Sequence, residues 1–216
     1  MKLKVKGILL DLDGTIVDSR EAYLEATKAA FATTGQKIVN AEIATEIPRK
    51  LEQNLPLNGI IAGVNTKKFL EAYLKAYYKI TESKAKPIPN VSKTLEELSK
   101  KTKLALITMR HVPKEKVKKE LEKFGLAKYF KCVITALDTN LPKPYPEALI
   151  KCAKQLGIKI NECAVVGDSI ADVRAGKAAG AKTVAVLSGI FTRDELEIEK
   201  PDLILEDINK LPNFLK

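Results

Sequence analysis

The stretch GILLDLDGT, residues 7–15, runs from a continuous apolar segment directly into two aspartates. Its apolar residues, from Ile8 to Leu12, predict a buried strand of a parallel sheet. Asp11 and Asp13 then stand at the carboxyl end of that strand, where close carboxylates repel each other. A cation is needed there to offset the repulsion, so the stretch predicts a strand that leads into a charged site.

Further along the chain, short apolar segments alternate with helical patterns. The strand candidates after the first one are 103–108, 132–136, 163–168, 183–188 and, more weakly, 203–206. The helical patterns lie at 91–101, 113–125, 145–156 and 170–180. Continuously apolar strands spaced by helices favour an α/β fold with a Rossmann-like parallel sheet covered on both faces.

The segment between the first strand and the next one is much longer than a normal crossover. Helical patterns occupy 19–34, 41–54 and 66–82, with no convincing strand, and the prolines of AKPIPN (85–90) break any helix there. The sequence therefore predicts a core domain made of residues 1–15 and 89–216, with an inserted all-helical domain at 16–88. We also expect Tyr73, Tyr77 and Tyr78, at helical spacing, to form the core of this insert.

Composition excludes several classes of protein. The chain has 216 residues, a net charge of +10 and no apolar run near the ~20 residues that a membrane span needs. Cys132, Cys152 and Cys163 form no metal or disulfide pattern, which indicates buried thiols in a cytoplasmic protein. Lysines are spread along the chain and aromatics make up only 6%, so we expect no nucleic-acid partner but attraction of small anions. The oligomeric state stays open.

Polar residues follow the predicted strands at the edge where a parallel sheet binds ligands. Thr108 follows the second strand, Lys143 comes after the third, and Asp168 and Asp172 follow the fourth. With Asp11 and Asp13, they bring carboxylates, a hydroxyl and an amine to one place.

This set of groups fits phosphate chemistry. Asp11 and Asp168 at adjacent strand ends can share Mg²⁺, which prefers one or two carboxylates together with phosphate oxygens. Thr108 and the free N–H groups that follow it can bind phosphate oxygens, and Lys143 adds positive charge. Asp13 can protonate a leaving oxygen.

These segments, in this order, resemble the four motifs of the haloacid dehalogenase superfamily: Asp11-Leu12-Asp13-Gly14-Thr15, Thr108, Lys143-Pro144 and Gly167-Asp168-Ser169-Ile170-Ala171-Asp172. The stretches KPYPEALIKCAKQLGI and GDSIADVRAGKAAGAKTVAV resemble its phosphoglycolate-phosphatase-like branch, and the helical insert resembles that branch's cap domain. The resemblance implies that Asp11 is the nucleophile, which forms an aspartyl-phosphate, and that Asp13 is the general acid and base. It also implies that Asp11, the backbone carbonyl of Asp13 and Asp168 hold Mg²⁺, with Asp172 as a further ligand or a partner of Lys143.

The chain departs from the family pattern after Thr108, where Met109 replaces the frequent Asn or Ser. Thr108, Met109 and Arg110 are the substrate-binding residues expected in the core, and His111 is expected at the surface or at a helix cap. In the insert, the segment 47–54 lies where related proteins place a cap loop. Arg49 and Lys50 are therefore candidates for gripping an anionic leaving group, or they simply belong to a solvated helix start.

The resemblance and the residues together predict a Mg²⁺-dependent phosphatase of a small phosphorylated metabolite, either phosphoglycolate-like or a sugar phosphate. A phosphomutase similar to β-phosphoglucomutase is the enzymatic alternative, since it would use the same core. A dehalogenase is disfavoured because Asp13 and Asp168 suit a metal and a phosphate. A non-catalytic binding protein on the same fold is the alternative from another class.

Overall fold

The computed structural model describes residues 2–35, 41–53 and 55–216. The chain divides into two compact units: a larger one formed by Met1–Val17 and Pro87–Lys216, and a smaller one formed by Asp18–Lys86. The sequence predicted the two domain boundaries after residues 15 and 88.

The larger unit is built on a parallel sheet, as predicted. Across the described residues it has six strands in the order β5-β4-β1-β6-β7-β8. The strands are β1 (Gly7–Leu10), β4 (Lys103–Ile107), β5 (Phe130–Ile134), β6 (Cys163–Gly167), β7 (Lys182–Val186) and β8 (Leu203–Leu205). Each begins or ends within two residues of an apolar segment that predicted it, because continuous burial on both faces selects continuous apolar sequence.

The register of the central strands brings the site residues together. β1 lies between β4 and β6, and Leu10 is aligned with Leu106 on one side and with Val166 on the other. Asp11, Thr108 and Asp168 therefore follow three adjacent strands at the same edge of the sheet.

Helices cover the sheet of the larger unit: α4 (Val91–Lys101), α5 (Lys114–Lys123), α6 (Glu147–Leu156), α7 (Ile170–Ala179) and α8 (Arg193–Ile198). The first four match the predicted helical patterns, whereas the short α8 was not predicted. The three cysteines are buried and unpaired, and all belong to one apolar cluster between the sheet and α6.

The smaller unit contains, within its described residues, the helices α1 (Arg20–Thr33), α2 (Ala41–Glu52) and α3 (Thr66–Lys84). Its core is aromatic. Tyr23 stacks on Tyr77 with ring centroids 5.5 Å apart, and Phe31 meets the ring edge of Phe69 at 4.9 Å. Tyr73 and Tyr77 are buried as predicted, while Tyr78 is half-buried against Tyr77.

The structure differs from the prediction for this segment in its short strands. The short strands β2 (Val17–Asp18) and β3 (Lys86–Pro87) pair with each other, although the sequence indicated no strand between 16 and 88. Strands of two residues carry no hydrophobic periodicity, so no pattern could reveal them. Asn54, the last residue of the predicted helix 41–54, lies outside the described residues. None of the described helices is long and apolar enough to cross a membrane.

Candidate active site

The DLDGT segment leaves β1 through a tight turn. The Asp11 amide donates to the carbonyl of Val166 at 2.9 Å. The amides of Ile16 and Val17 both donate to the carbonyl of Leu12 at 2.9 Å. Gly14 has a φ of +76°, and a Cβ at this position would overlap the carboxylate of Asp168. Glycine is therefore required here both for its backbone angle and for space.

Lys143 lies at the centre of the site. Its Nζ donates to Asp11 Oδ1 and to Asp172 Oδ1, both at 2.6 Å, and to the carbonyl of Ile107 at 3.4 Å. Burial alone would lower the pKa of this amine, but the two carboxylates outweigh that effect and raise the pKa above its ordinary value. Lys143 therefore carries a permanent positive charge against Asp11.

The same arrangement also shifts the pKa of Asp11. Burial raises the pKa of Asp11 to about 7, against the opposing attraction of Lys143, and repulsion from Asp172 and Asp13 adds to the increase. A group with this pKa is only partly ionised at neutral pH. A further cation beside Asp11 would keep it ionised and able to act as a nucleophile.

Asp168 is held in a narrow backbone cradle. Its Oδ1 accepts from Thr15 Oγ1 at 3.2 Å, and Gly14 and Gly189 approach so closely that a Cβ on either would overlap its carboxylate. The loop that carries Gly189 follows β7 and is fastened by Ser188, whose Oγ donates to the carbonyl of Gly14 at 2.6 Å. The loops after β1 and β7 thus fix Asp168 from two sides.

The described residues include one group of three acidic side chains that suits a metal ion. Asp11, Asp168 and Asp172 are buried, and each offers a carboxylate oxygen within 4.8 Å of the others. Three buried carboxylates against the single amine of Lys143 leave an excess of negative charge, and hard oxygen donors are the ligands that Mg²⁺ prefers. The residues present therefore fit a divalent cation.

Asp172 makes two kinds of contact in the structure. Its Oδ2 accepts from Ser169 Oγ at 2.6 Å and from the Ser169 amide at 3.3 Å, which caps the first turn of α7. Its Oδ1 accepts from Lys143. Asp172 is thus a helix cap and a partner of Lys143 at once.

Asp13 is held by a buried arginine. Arg110 Nε and Nη2 donate to Asp13 Oδ2 and Oδ1 at 2.8 and 2.7 Å. The other side of the guanidinium meets Glu120 of α5, with Nη1–Oε2 at 2.5 Å and Nη2–Oε1 at 3.3 Å. Burial raises the pKa of Glu120, with Arg110 opposing the increase.

The remaining residues of the predicted core set lie after β4. Thr108 is buried, its amide donates to the carbonyl of Ile134 at 3.0 Å, and its Oγ1 accepts from the Arg110 amide at 3.2 Å. Met109 is half-buried and His111 is exposed. For Thr108, Met109 and Arg110, contact with substrate stays a prediction.

Arg49 and Lys50 belong to the smaller unit. They lie in the last turn of α2, so the cap loop expected at 47–54 is helical through Glu52. Pro48 lies inside this helix without ending it. Arg49 Nη1 is 3.4 Å from Glu46 Oε1. Their contact with substrate also stays a prediction.

Three residues at the site were not predicted: Glu120, Ser188 and Gly189. Glu120 belongs to KEKVKKELEK, where eight of the ten residues are charged and no acid stands out. Ser188 and Gly189 follow a predicted strand at its carboxyl end, so the position of their loop was the available signal.

Comparison with known proteins places this site in a family. A model of the haloacid dehalogenase-like hydrolase family matches residues 8–186. A relative from Caldanaerobacter subterraneus subsp. tengcongensis, provisionally named pyrophosphatase PpaX, is 29% identical over 99% of this chain and 96% of its own length. The phosphoglycolate phosphatase of Escherichia coli K12 is 29% identical over 96% of this chain and 91% of its own.

Solved structures agree with the fold. A hydrolase from Pseudomonas syringae is 26% identical, with a TM-score of 0.75 and a coverage of 96% of both chains. The parallel sheet with its acidic edge defines an α/β protein with a candidate metal site. The chain belongs to the haloacid dehalogenase-like hydrolase family, which confirms the resemblance of its four motifs.

Proposed function

We propose that this hydrolase is a Mg²⁺-dependent phosphatase of a small phosphorylated metabolite and that it works through an aspartyl-phosphate. The observation that carries the proposal is the buried contact between Asp11 and Lys143, with Asp168 within 4.8 Å of both acidic partners of that lysine. An isolated buried carboxylate is costly, so a cluster of three calls for a charge-bearing ligand. A divalent cation meets that need and can in turn bind the oxygens of a phosphate.

In the first proposed step, a carboxylate oxygen of Asp11 attacks the phosphorus atom and the ester P–O bond breaks. Asp13 gives its proton to the leaving oxygen as that bond breaks, so the product departs as an alcohol. Lys143 balances charge on Asp11 and on the phosphoryl oxygens. Thr108 and Met109 follow β4 at the same edge and are proposed to bind the phosphate.

In the second step, Asp13, now ionised, takes a proton from a water molecule that attacks the phosphorus atom. The bond between phosphorus and the Asp11 oxygen breaks, which releases inorganic phosphate and restores the Asp11 carboxylate. One side chain thus serves as acid and then as base, so proton balance is restored in each cycle.

Asp11, Asp168 and the backbone carbonyl of Asp13 are proposed to hold Mg²⁺, with Asp172 as a further ligand or as the partner of Lys143. The ion would neutralise charge on the phosphoryl oxygens. Buried carboxylates favour this assignment because they need a cation to remain ionised.

The substrate is proposed to be phosphoglycolate-like or a sugar phosphate. One relative is named for phosphoglycolate and another provisionally for pyrophosphate, and both are similar over nearly the whole chain. In phosphoglycolate and in sugar phosphates, the leaving group carries polar or anionic groups. Arg49 is proposed to contact that part of the substrate, because a guanidinium binds carboxylate and phosphate through paired hydrogen bonds.

Phosphate release from a panel of phosphomonoesters tests the proposal. The panel contains p-nitrophenyl phosphate, phosphoglycolate, sugar phosphates and, as a phosphoanhydride, pyrophosphate. Each compound is measured in Mg²⁺ and in EDTA, with Asp11→Asn as the matched variant. We expect release that needs Mg²⁺, is absent in the variant and differs between substrates.

Release that persists in EDTA or in Asp11→Asn would contradict the proposed roles. Transfer of the phosphoryl group to a second hydroxyl of a sugar phosphate, with little free phosphate, would indicate the phosphomutase instead.

A further inference from the structure

Arg110 has a guanidinium with both of its hydrogen-bonding edges occupied. The edge formed by Nε and Nη2 meets the Asp13 carboxylate side-on, and the edge formed by Nη1 and Nη2 meets Glu120. Side-chain exposures are 5% for Arg110, 12% for Asp13 and 8% for Glu120, so the three groups are shielded from water together. Such paired, charge-assisted hydrogen bonds fix orientation as well as distance.

The backbone of Arg110 is fixed as well. Its amide donates to Thr108 Oγ1 at 3.2 Å, and its carbonyl accepts from the amide of Ala136 at 3.2 Å. The side chain is therefore anchored at the main chain and at the guanidinium. Arg110 has little freedom to move away from Asp13 unless Glu120 also moves.

Asp13 is restrained by the same contacts. Its main chain belongs to the turn after β1, where it bridges to Val17. Its carboxylate is aligned by the two donors of Arg110, so the direction in which Asp13 presents its oxygens depends on a residue 97 positions away in the sequence.

Stability does not account for Glu120. A buried carboxylate is costly even when it is paired, and replacement of a whole buried ion pair by well-packed apolar residues is often neutral or stabilising. The burial that raises the pKa of Glu120 expresses the same penalty. Glu120 is a costly buried charge that pairs with one edge of Arg110, and the other edge of Arg110 holds Asp13. This arrangement indicates a functional role for Glu120.

We propose that Arg110 and Glu120 are positioning residues for Asp13: Glu120 holds the guanidinium, and the guanidinium holds the Asp13 carboxylate in the orientation used for proton transfer. This inference rests on the acid and base role proposed for Asp13 above. It assigns Glu120 a part in the reaction, and it makes Arg110 act through Asp13 rather than through the substrate.

Two substitutions test the inference. Glu120→Gln keeps the shape but removes the charge, and Arg110→Lys keeps the charge but cannot form the two-edged contact. The rate of formation of the phosphorylated enzyme is measured by rapid quench with p-nitrophenyl phosphate and with an alkyl phosphate. The nitrophenolate leaves as a stable anion, whereas an alkoxide needs a proton from Asp13 as it leaves.

We expect each variant to lower the alkyl phosphate rate about tenfold or more, as part of the ~10²–10⁴-fold effect of a general acid. The p-nitrophenyl phosphate rate should fall less than about threefold, because that reaction does not need the acid. In an Asp13→Asn background, neither substitution should lower the alkyl phosphate rate further, since the residue through which they act is already inactive.

Glu122→Gln is the matched control, because Glu122 is an exposed acid on the same helix. It should leave both rates unchanged. Denaturation midpoints of all variants separate loss of folding from loss of positioning.

Four results would overturn the inference. Equal losses with both esters would indicate a general structural role, and a raised KM with unchanged kcat would make Arg110 a substrate contact. A faster rate in either variant would mean that the ion pair restrains Asp13 in a resting orientation. If Asp13→Asn lowers the rates with the two esters equally, the acid role proposed for Asp13 fails. The inference then fails with it, for a reason that the Glu120 and Arg110 variants alone would not reveal.

Discussion

Lys143 carries the positive charge that Asp11 and Asp172 share, and its removal leaves both carboxylates buried without it. We expect Lys143→Met to lower the free energy of unfolding by about 3 kcal/mol or more, as for other broken buried ion pairs. We also expect kcat to fall by about 10²-fold or more, since a preorganised charge at the phosphate is lost. Urea denaturation and phosphate release measure the two effects.

A second substitution separates these effects. In Lys143→Met combined with Asp172→Asn, one of the two uncompensated charges is gone, so stability should recover in part while kcat stays low. If kcat recovered together with stability, Lys143 would be a structural residue only.

Glu120 makes stability depend on pH in a direction that can be measured. Because its pKa is raised in the folded protein, the folded state binds a proton that the unfolded state has already lost. In the pH window between the unfolded and folded pKa values, the contribution of Glu120 to stability therefore falls as pH rises. Glu120→Gln lacks this effect. Its free energy of unfolding should therefore increase relative to that of the wild type as pH rises above 4.5, the ordinary pKa of a glutamate.

Urea denaturation at several pH values measures this difference. Glu122→Gln again serves as the control. A difference for Glu120→Gln that decreased as pH rose would show that Arg110 outweighs burial in setting the pKa of Glu120.

The individual residues of the site could be predicted from the sequence to different degrees. Lys143 and Asp168 could be identified because each stands at the end of an apolar strand, where topology alone brings it to the site. Glu120 could not, since its partner Arg110 is ten positions away across a loop and its helix is charged on most sides. A local pattern carries no signal for a contact that only the tertiary fold creates.

Among the elements, the loop after β7 shapes the site without contributing a side chain that reacts. Gly189 lies against the Asp168 carboxylate, and a Cβ there would force one of them to move. We expect Gly189→Ala to weaken binding of the divalent cation and to lower kcat at least about tenfold, since displacement of a catalytic group by about 1 Å can cost 10²-fold. Titration with Mg²⁺, followed by phosphate release, measures both quantities.

Gly59→Ala is the control for this prediction, because an added Cβ at Gly59 would meet no atom within 4 Å. It should bind Mg²⁺ and turn over like the wild type. Normal Mg²⁺ dependence in Gly189→Ala would mean that Asp168 tolerates the displacement or is not a ligand.

The elements themselves followed from the sequence wherever burial imposes a period. Strands such as β6, CAVVG, are apolar throughout because helices cover both faces of the sheet. The short α8 was missed because its six residues, RDELEI, contain little apolar periodicity and are defined mainly by the cap at Thr192. Burial thus predicts the long elements, whereas capping and loop contacts define the short ones.

Over the whole molecule, the net charge of +10 gives the surface a positive potential towards phosphate esters. We expect kcat/KM for a dianionic phosphomonoester to fall about threefold or more as KCl rises from ~0.01 to ~0.15 M, over which the Debye length falls from ~30 to ~8 Å. kcat should change little, because Lys143 is buried and screened far less than the surface lysines. Initial rates across this salt range measure both constants.

A variant in which exposed Lys101, Lys116, Lys119 and Lys131 become Gln provides the comparison. Its net charge is lower by four, so its kcat/KM should be lower at low salt and should depend less steeply on KCl, while both proteins converge at high salt. Identical salt dependence in the two proteins would mean that the anion responds only to charges inside the site. The lysines spread along the chain would then serve solvation, and Lys143 and the cation proposed at Asp11 and Asp168 would supply all of the attraction that the substrate experiences.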